Sequence, residues 1–309
     1  MSVVLPKALK KNAKIGLICP AGGFDDYKPI QLIVKYLNNK GYKVKLGKAV
    51  LKSNKYFDYL AGADAQRLND LHTFFTDKSI DAIFCLRGGY GSLRFLRDID
   101  YKLILRNKKI FLGYSDISIL LLSIFSKCNF VTFHGPLLGV DFLNKNLKPN
   151  DIESEKNLWK LLSDERYSFS YKLKADSVVI NPGKVTGTLL GGNLTDLCSM
   201  IGSGFLPNFK NSILFLEDIN EEPYKIDRLV TQLINSNTFN CVSAVIFAGF
   251  KKSKFKNHKE VISLIKDRMK KNHIPVIYNF PIGHGKKNFV VPVGNRVTLD
   301  TYRKVLYST

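Results

Sequence analysis

The 309 residues, 45% apolar and 24% charged, are enough to bury a full core, which excludes a disordered chain and suggests one large domain or, better, two. Apolar runs such as the nine residues from Ile117 to Phe125 fall short of the roughly 18 that cross a bilayer, so no membrane association is expected. The net charge of +21, from 47 Lys and Arg against 26 Asp and Glu, attracts acidic partners without choosing among nucleic acid, anionic lipid and carboxylate-bearing small molecules. The lysines are scattered, and the densest group, KKSKFKNHK at 251–259, reads as a solvated loop and helix start, so nucleic acid is not the expected partner.

At the amino terminus, MSVVLPKALKKNAKIGLICPAGG puts its lysines after a short apolar patch, whereas a secretory signal has positive charge first and then about 7 to 15 apolar residues. No export signal is read, and a soluble cytoplasmic protein is expected. Apolar runs then alternate with amphipathic ones: KIGLICP, YKPIQLIVKYLNN, YKVKLG, ADAQRLNDLHTFFTD, DAIFCLRG, GSLRFLRDI, KKIFLGYS and ISILLLSIF. This alternation predicts an α/β fold with an amino-terminal parallel sheet flanked by helices. Ligands gather at the carboxyl ends of such strands. Three of those ends carry small or glycine-rich turns, CPAGG (19–23), RGGYG (87–91) and GYSD (113–116).

Between about Asp141 and Pro182 the periodicity fades into polar stretches such as NKNLKPNDIESEKN, which read as a connection. A second set of elements follows: KVTGTLLGGN, a helix from about Leu194, SILFLEDI, a helix near Pro223, CVSAVIFAGF, a helix near His258, IPVIYNF, NFVVPV and RVTLDT. The expected organisation is an amino-terminal α/β domain over 1–145, a connecting segment over 146–182 and a smaller carboxyl-terminal α/β domain over 183–309, with a cleft between the two domains. The five cysteines (Cys19, Cys85, Cys128, Cys198, Cys241) are odd in number, widely spaced and without CxxC or zinc-site spacing, and are expected to be buried free thiols.

Ser115 lies between a strand candidate, KKIFLGY, and a helix candidate, DISILLLSIF, which is the setting of a nucleophile elbow. There the first N–H groups of the helix, unpaired and at the positive end of its dipole, stabilise a developing oxyanion. Ser and Asp are equally common as helix caps, and position alone favours that reading, because GYSDI lacks the second glycine of GxSxG. RGGYGS allows close approach of a backbone to a ligand, but it fits neither a dinucleotide loop nor a P-loop, and a structural turn and a functional loop stay open. Of the five histidines, His72, His258 and His273 fall in surface-like contexts, whereas His134 in VTFHGP and His284 in FPIGHGKKN each follow an apolar segment beside glycine. Glu217 ends the apolar strand SILFLED, where it would orient a histidine base or merely lead into the helix begun by Pro223.

Eight blocks in order, GLICPAGG, IFCLRGGYGSLR, FLGYSDISILL, TFHGPL, GTLLGGNLTDLCSMIGS, ILFLEDINEEPYKIDRLVTQL, AVIFAGF and FPIGHGKKNFVVPVGNRVTL, resemble the LD-carboxypeptidase family of serine peptidases over nearly the whole chain. The resemblance implies release of terminal D-alanine from murein tetrapeptides in cytoplasmic peptidoglycan recycling. It places the family's nucleophile on Ser115, its orienting carboxylate on Glu217 and its base on His284, with the backbone N–H groups of Gly89 and Asp116 as the oxyanion hole. It further implies an enzyme without metal or cofactor, and a homodimer. Arg87 is a candidate partner for the substrate carboxylate. Immunity enzymes of the same family hydrolyse acyl-sulfamoyl adenylates and tend to stack an aromatic residue on the base; here the lone Trp159 falls in the connecting segment, and GTLLGGNLTDL looks more like the murein branch. A basic, non-enzymatic module holding an anionic ligand in the cleft is the competing reading from another class.

Overall fold

The computed structural model describes residues 3–51, 57–142, 149, 151–173 and 175–309. Its first half alternates β1 (Lys14–Ile18), α1 (Lys28–Asn39), β2 (Lys43–Leu46), α2 (Asp64–Thr76), β3 (Ala82–Cys85), α3 (Tyr101–Arg106), β4 (Ile110–Gly113), α4 (Ser118–Cys128) and β5 (Thr132–His134). β3 and β4 are buried at every residue, as central parallel strands covered on both faces are, whereas the edge strand β2 is buried at none. Because these strands run parallel, the turns CPAGG, RGGYG and GYSD emerge at one edge of the sheet.

The chain continues through α5 (Ile152–Leu162), β6 (Ser170–Lys172), β7 (Val178–Asn181), β8 (Lys184–Asn193), α6 (Leu194–Ser199), β9 (Ser212–Ile219), α7 (Pro223–Asn235), α8 (Thr238–Cys241), β10 (Ala244–Lys251), α9 (His258–Met269), β11 (Val276–Tyr278), β12 (Val291–Val293), β13 (Arg296–Asp300) and β14 (Val305–Ser308). Among the described residues, one sheet has the order β12-β5-β4-β3-β1-β2 and the other β6-β14-β13-β8-β9-β10-β11-β7. At the centre of the second sheet β8, β9, β10 and β11 are parallel, so Asn193, Glu217 and Gly249 lie side by side at their carboxyl ends.

Two features depart from the order in sequence. β12 leaves the carboxyl-terminal half to pair antiparallel with β5, and tolerates Pro292 because it is an edge strand. The segment taken as a connection holds α5, whose Leu158, Leu161 and Leu162 pack into the core of the first sheet, together with β6 and β7, the two edges of the second. Edge strands of three and four residues, none fully buried along their length, carry too little hydrophobic pattern to be seen in sequence. The expected boundary at 145–146 lies outside the described residues.

The sheets meet where α4 begins: Ser118 Oγ accepts the Asn193 N–H at 3.2 Å. Cys19, Cys85, Cys128 and Cys198 are buried free thiols, while Cys241 is free and exposed. Among the described residues no helix is long and apolar enough to cross a membrane.

Candidate active site

Strand β4 ends at Gly113, Tyr114 is extended, and Ser115 then turns to φ +62° before a 3-10 turn over Ser115–Ile117 runs into α4. A non-glycine residue in this region costs of the order of 1–3 kcal/mol, so the surrounding packing must hold it there. That packing includes the glycine loop after β3. A Cβ on Gly88 would lie 2.8 Å from Ser115 Cβ and 3.0 Å from its Oγ, so only glycine lets the loop come this close. Gly89 instead rests against the backbone of Gly22.

Asp116, fully buried, fastens the loop to the turn: its carboxylate accepts the backbone N–H groups of Gly91 at 3.2 Å and Ser92 at 2.9 Å. Burial raises its pKa against the hydrogen bonds from Ser92 and Gly91 and the charge of Arg67. Arg67 is itself fully buried and ties three turns together, donating to Pro20 O, to Gly62 O at 3.2 Å and to Gly91 O at 3.0 Å. Sequence reading passed over Arg67, although its spacing with Leu71 and Phe74 puts it on the buried face of α2. Asp116→Ala leaves two buried N–H groups without their acceptor and is expected to lower the unfolding free energy by about 1–3 kcal/mol. A urea midpoint equal to that of the wild type would show that the loop needs no such clamp.

Glu217 reaches the same region from β9. Its carboxylate is 1% exposed, and Oε2 accepts from both His284 Nδ1, at 2.6 Å, and the His284 backbone N–H, at 3.2 Å. Burial alone would raise the Glu217 carboxyl, but the hydrogen bonds and charge of His284, with charge from His134, hold it below the ordinary carboxylate range. Gly283 makes the approach possible: at φ +91° it is in the left-handed region, and a Cβ there would stand 2.5 Å from Glu217 Cδ.

The loop bearing His284 is anchored in turn to α5. Gly283 N–H donates to Asn288 Oδ1 at 2.9 Å, Asn288 N–H to Ser154 Oγ at 3.0 Å, and Lys287 pairs with Glu153. Tyr114, the residue before Ser115, stands edge-on to the His284 ring with centroids 4.7 Å apart. Thus the structure joins Glu217 to His284 directly, and His284 to the serine turn through Tyr114.

The neighbouring Asp218 points to the other side of the strand, as successive residues do. It accepts from Asn193 Nδ2 (3.0 Å), Thr195 N (3.0 Å), Thr195 Oγ1 (2.8 Å) and Ile219 N (2.8 Å), which fixes the turn after β8. Burial, with the charge of Glu217, pushes its pKa up to about 6.

Most of the other sequence candidates are engaged elsewhere. Arg87 donates to Gly23 O and its guanidinium lies 5.9 Å from the Phe24 ring centroid. His72 Nε2 accepts the Asp100 N–H, and His258 opens α9 against Tyr278. Trp159 is stacked on Tyr42 and donates to Tyr36 Oη, on the α5 side of the first sheet. His134 ends β5, fully buried. Among the described residues no group of three or more His, Cys, Asp or Glu side chains is arranged to hold a metal ion.

The chain as a whole has counterparts among known proteins. The descriptions LD-carboxypeptidase N-terminal domain and LD-carboxypeptidase C-terminal domain match residues 15–135 and 186–299. A Bacillus subtilis protein named "Probable murein peptide carboxypeptidase" is 35% identical over 302 residues, which cover 97% of this chain and 92% of that one. The murein tetrapeptide carboxypeptidase of Pseudomonas aeruginosa is 31% identical over 297 residues, 94% of each chain. The solved structure of the microcin C7 self immunity protein MccF in complex with aspartyl sulfamoyl adenosine superposes with a TM-score of 0.89 at 25% identity, covering 99% of this chain and 98% of that one. The chain belongs to the LD-carboxypeptidase family of serine peptidases.

Proposed function

We propose that this serine peptidase releases terminal D-alanine from murein tetrapeptides through a triad of Ser115, His284 and Glu217. The observation that carries the reading is the 2.6 Å bond between the buried Glu217 Oε2 and His284 Nδ1, in contact through Tyr114 with a serine held at φ +62°. Glu217 keeps the Nδ1–H tautomer, which makes Nε2 the nitrogen that takes the Ser115 hydroxyl proton as Oγ attacks the carbonyl of the bond to D-alanine. The imidazolium so formed returns that proton to the departing amine, and a water activated by the same Nε2 then releases the acyl group and restores the serine.

For the oxyanion we assign the N–H groups of Asp116 and Gly89. Asp116 is the middle residue of the turn that leads into α4, at the positive end of its dipole. Gly88 O accepts from Gly22 N at 2.9 Å, so the trans peptide directs the Gly89 N–H away from Gly22. Each such donor contributes roughly 10² to 10³ in rate. Family resemblance extends the proposal to a cytoplasmic homodimer that works without a cofactor in murein recycling.

The likeness to MccF supports a second reading, hydrolysis of an acyl-sulfamoyl nucleotide. Trp159 speaks against it, because its ring is committed to Tyr36 and Tyr42. The test is to offer the purified protein a murein tetrapeptide and aspartyl sulfamoyl adenosine in parallel. D-alanine release is expected; cleavage of the nucleotide with no D-alanine would move the assignment to the second reading.

A further inference from the structure

His134 has no part in the triad just described, yet it is built into its floor. The imidazole is 0% exposed, and among the described residues neither Nδ1 nor Nε2 has a hydrogen-bond partner; Glu217 Oε1, also buried, has none among them either. These groups belong to one closed circuit of contacts. His134 stands edge-on to Phe215 at 5.0 Å, and Phe215 lies two residues before Glu217, on the same face of β9. Tyr114 is edge-on both to His134, at 5.7 Å, and to His284, at 4.7 Å, and His284 closes the circuit through its 2.6 Å bond to Glu217. Leaving a donor or acceptor unpaired in such a place costs about 1–3 kcal/mol, a penalty that an apolar ring of the same shape would avoid.

We propose that His134 is a positioning residue of the triad: its neutral ring donates an N–H, through a buried water, to Glu217 Oε1, and so holds the other carboxylate oxygen on His284. One bridging water fits the chemistry, since a buried water takes two to four polar partners and both of these groups lack one. The titratable groups facing His134 are Glu217 from β9, Tyr114 after β4 and His284 from the loop after β11; its neighbour on β12 is Val291. Burial pushes the pKa of His134 down to about 4 against the pull of Glu217, with His284 lowering it further. The ring therefore stays neutral, with one N–H to give, wherever His284 can act as a base.

This role rests on the triad reading, and two variants test it. His134→Phe keeps the ring and removes the N–H; His134→Gln restores a donor. With murein tetrapeptide, His134→Phe is expected to lower kcat by roughly tenfold to a hundredfold at little change in KM. Without the donor, Glu217 charge is less satisfied and draws the His284 proton more strongly, so the acid limb of kcat/KM should move to higher pH. His134→Gln should recover most of both. Proton NMR supplies a readout without substrate: the downfield Nδ1–H signal of His284 should shift in His134→Phe and return toward the wild-type position in His134→Gln. The wild-type His134 nitrogen shifts should stay those of a neutral ring from pH 5 to 8.

A His134→Phe enzyme with wild-type kcat, pH limb and proton signal would overturn the proposal. So would a His134→Gln enzyme as impaired as His134→Phe, which would mean packing alone, or a His134 that titrates near pH 6.5 in the wild type. If wild-type protein releases no D-alanine, the triad reading fails separately, and the NMR signals still decide whether His134 is coupled to the Glu217–His284 bond.

Discussion

Replacing Ser115 by glycine is expected to abolish D-alanine release while making the fold more stable. At φ +62° serine bears a steric cost that glycine does not, of about 1–2 kcal/mol. Glycine gives back part of that gain through the greater freedom of its unfolded chain, about 0.4–1 kcal/mol. A net rise near 1 kcal/mol remains. Ser115→Ala is the companion variant: it removes the same hydroxyl but keeps the left-handed strain, so its unfolding free energy should stay close to the wild type. Both should lose roughly 10⁴-fold or more in kcat/KM, since removing the nucleophile of the proposed triad disables the unit and leaves only binding and oxyanion contributions. The pair separates chemistry from backbone geometry. Full-rate D-alanine release by Ser115→Ala would end the nucleophile assignment, and a Ser115→Gly protein less stable than Ser115→Ala would mean that the turn is not held in strain.

That strain marks where the sequence stopped being legible. The change from strand to helix around Ser115 is visible because a buried four-residue strand gives way, across the four residues Tyr114, Ser115, Asp116 and Ile117, to the helical run from Ser118. A helix cap and an elbow use the same residue types at that point, and what divides them is the sign of φ, which no side-chain pattern displays. Glu217 and His284 were each legible as positions, one at a strand end and one between glycines. Their 2.6 Å bond spans 67 residues of chain and depends on Gly283 lacking a side chain, a constraint that exists only once Glu217 is packed on it.

Short elements were lost for a different reason. α5 buries only four of its eleven residues, and β6 and β7 supply three and four residues, too few for a period to emerge. One of them nevertheless bears on the site: α5 fastens the histidine loop through Ser154 and Glu153. Glycine turns at strand ends mark the location of the candidate site, whereas the residues that fasten its histidine loop come from a segment that looks like a linker.

The Glu217–His284 bond yields the second large effect. Glu217→Gln preserves shape, and its amide oxygen can still accept both N–H groups of His284, but the negative charge that stabilises the imidazolium is gone. Loss of the acid in a triad such as the one proposed costs up to about 10⁴ in kcat, and a loss of that order, with KM little changed, is expected in D-alanine release. Stability carries a pH signature as well. Because the folded Glu217 pKa is depressed, its charged form contributes stability that is complete above the unfolded value, near the ordinary 4.5, and is lost as pH falls through the folded value. The stability gap between wild type and Glu217→Gln should therefore be constant at neutral pH and close progressively below about pH 4. Gly283→Ala attacks the same bond from the backbone side. Its methyl group would sit 2.5 Å from Glu217 Cδ at a residue with φ +91°, so both the clash and the conformation oppose it. The expected cost is roughly 2–4 kcal/mol in unfolding free energy together with an activity loss comparable to that of Glu217→Gln. A Gly283→Ala enzyme that melts and turns over like the wild type would show that the carboxylate is not confined by its neighbour, and the close-packed dyad would have to give way to a looser pairing formed only with substrate bound.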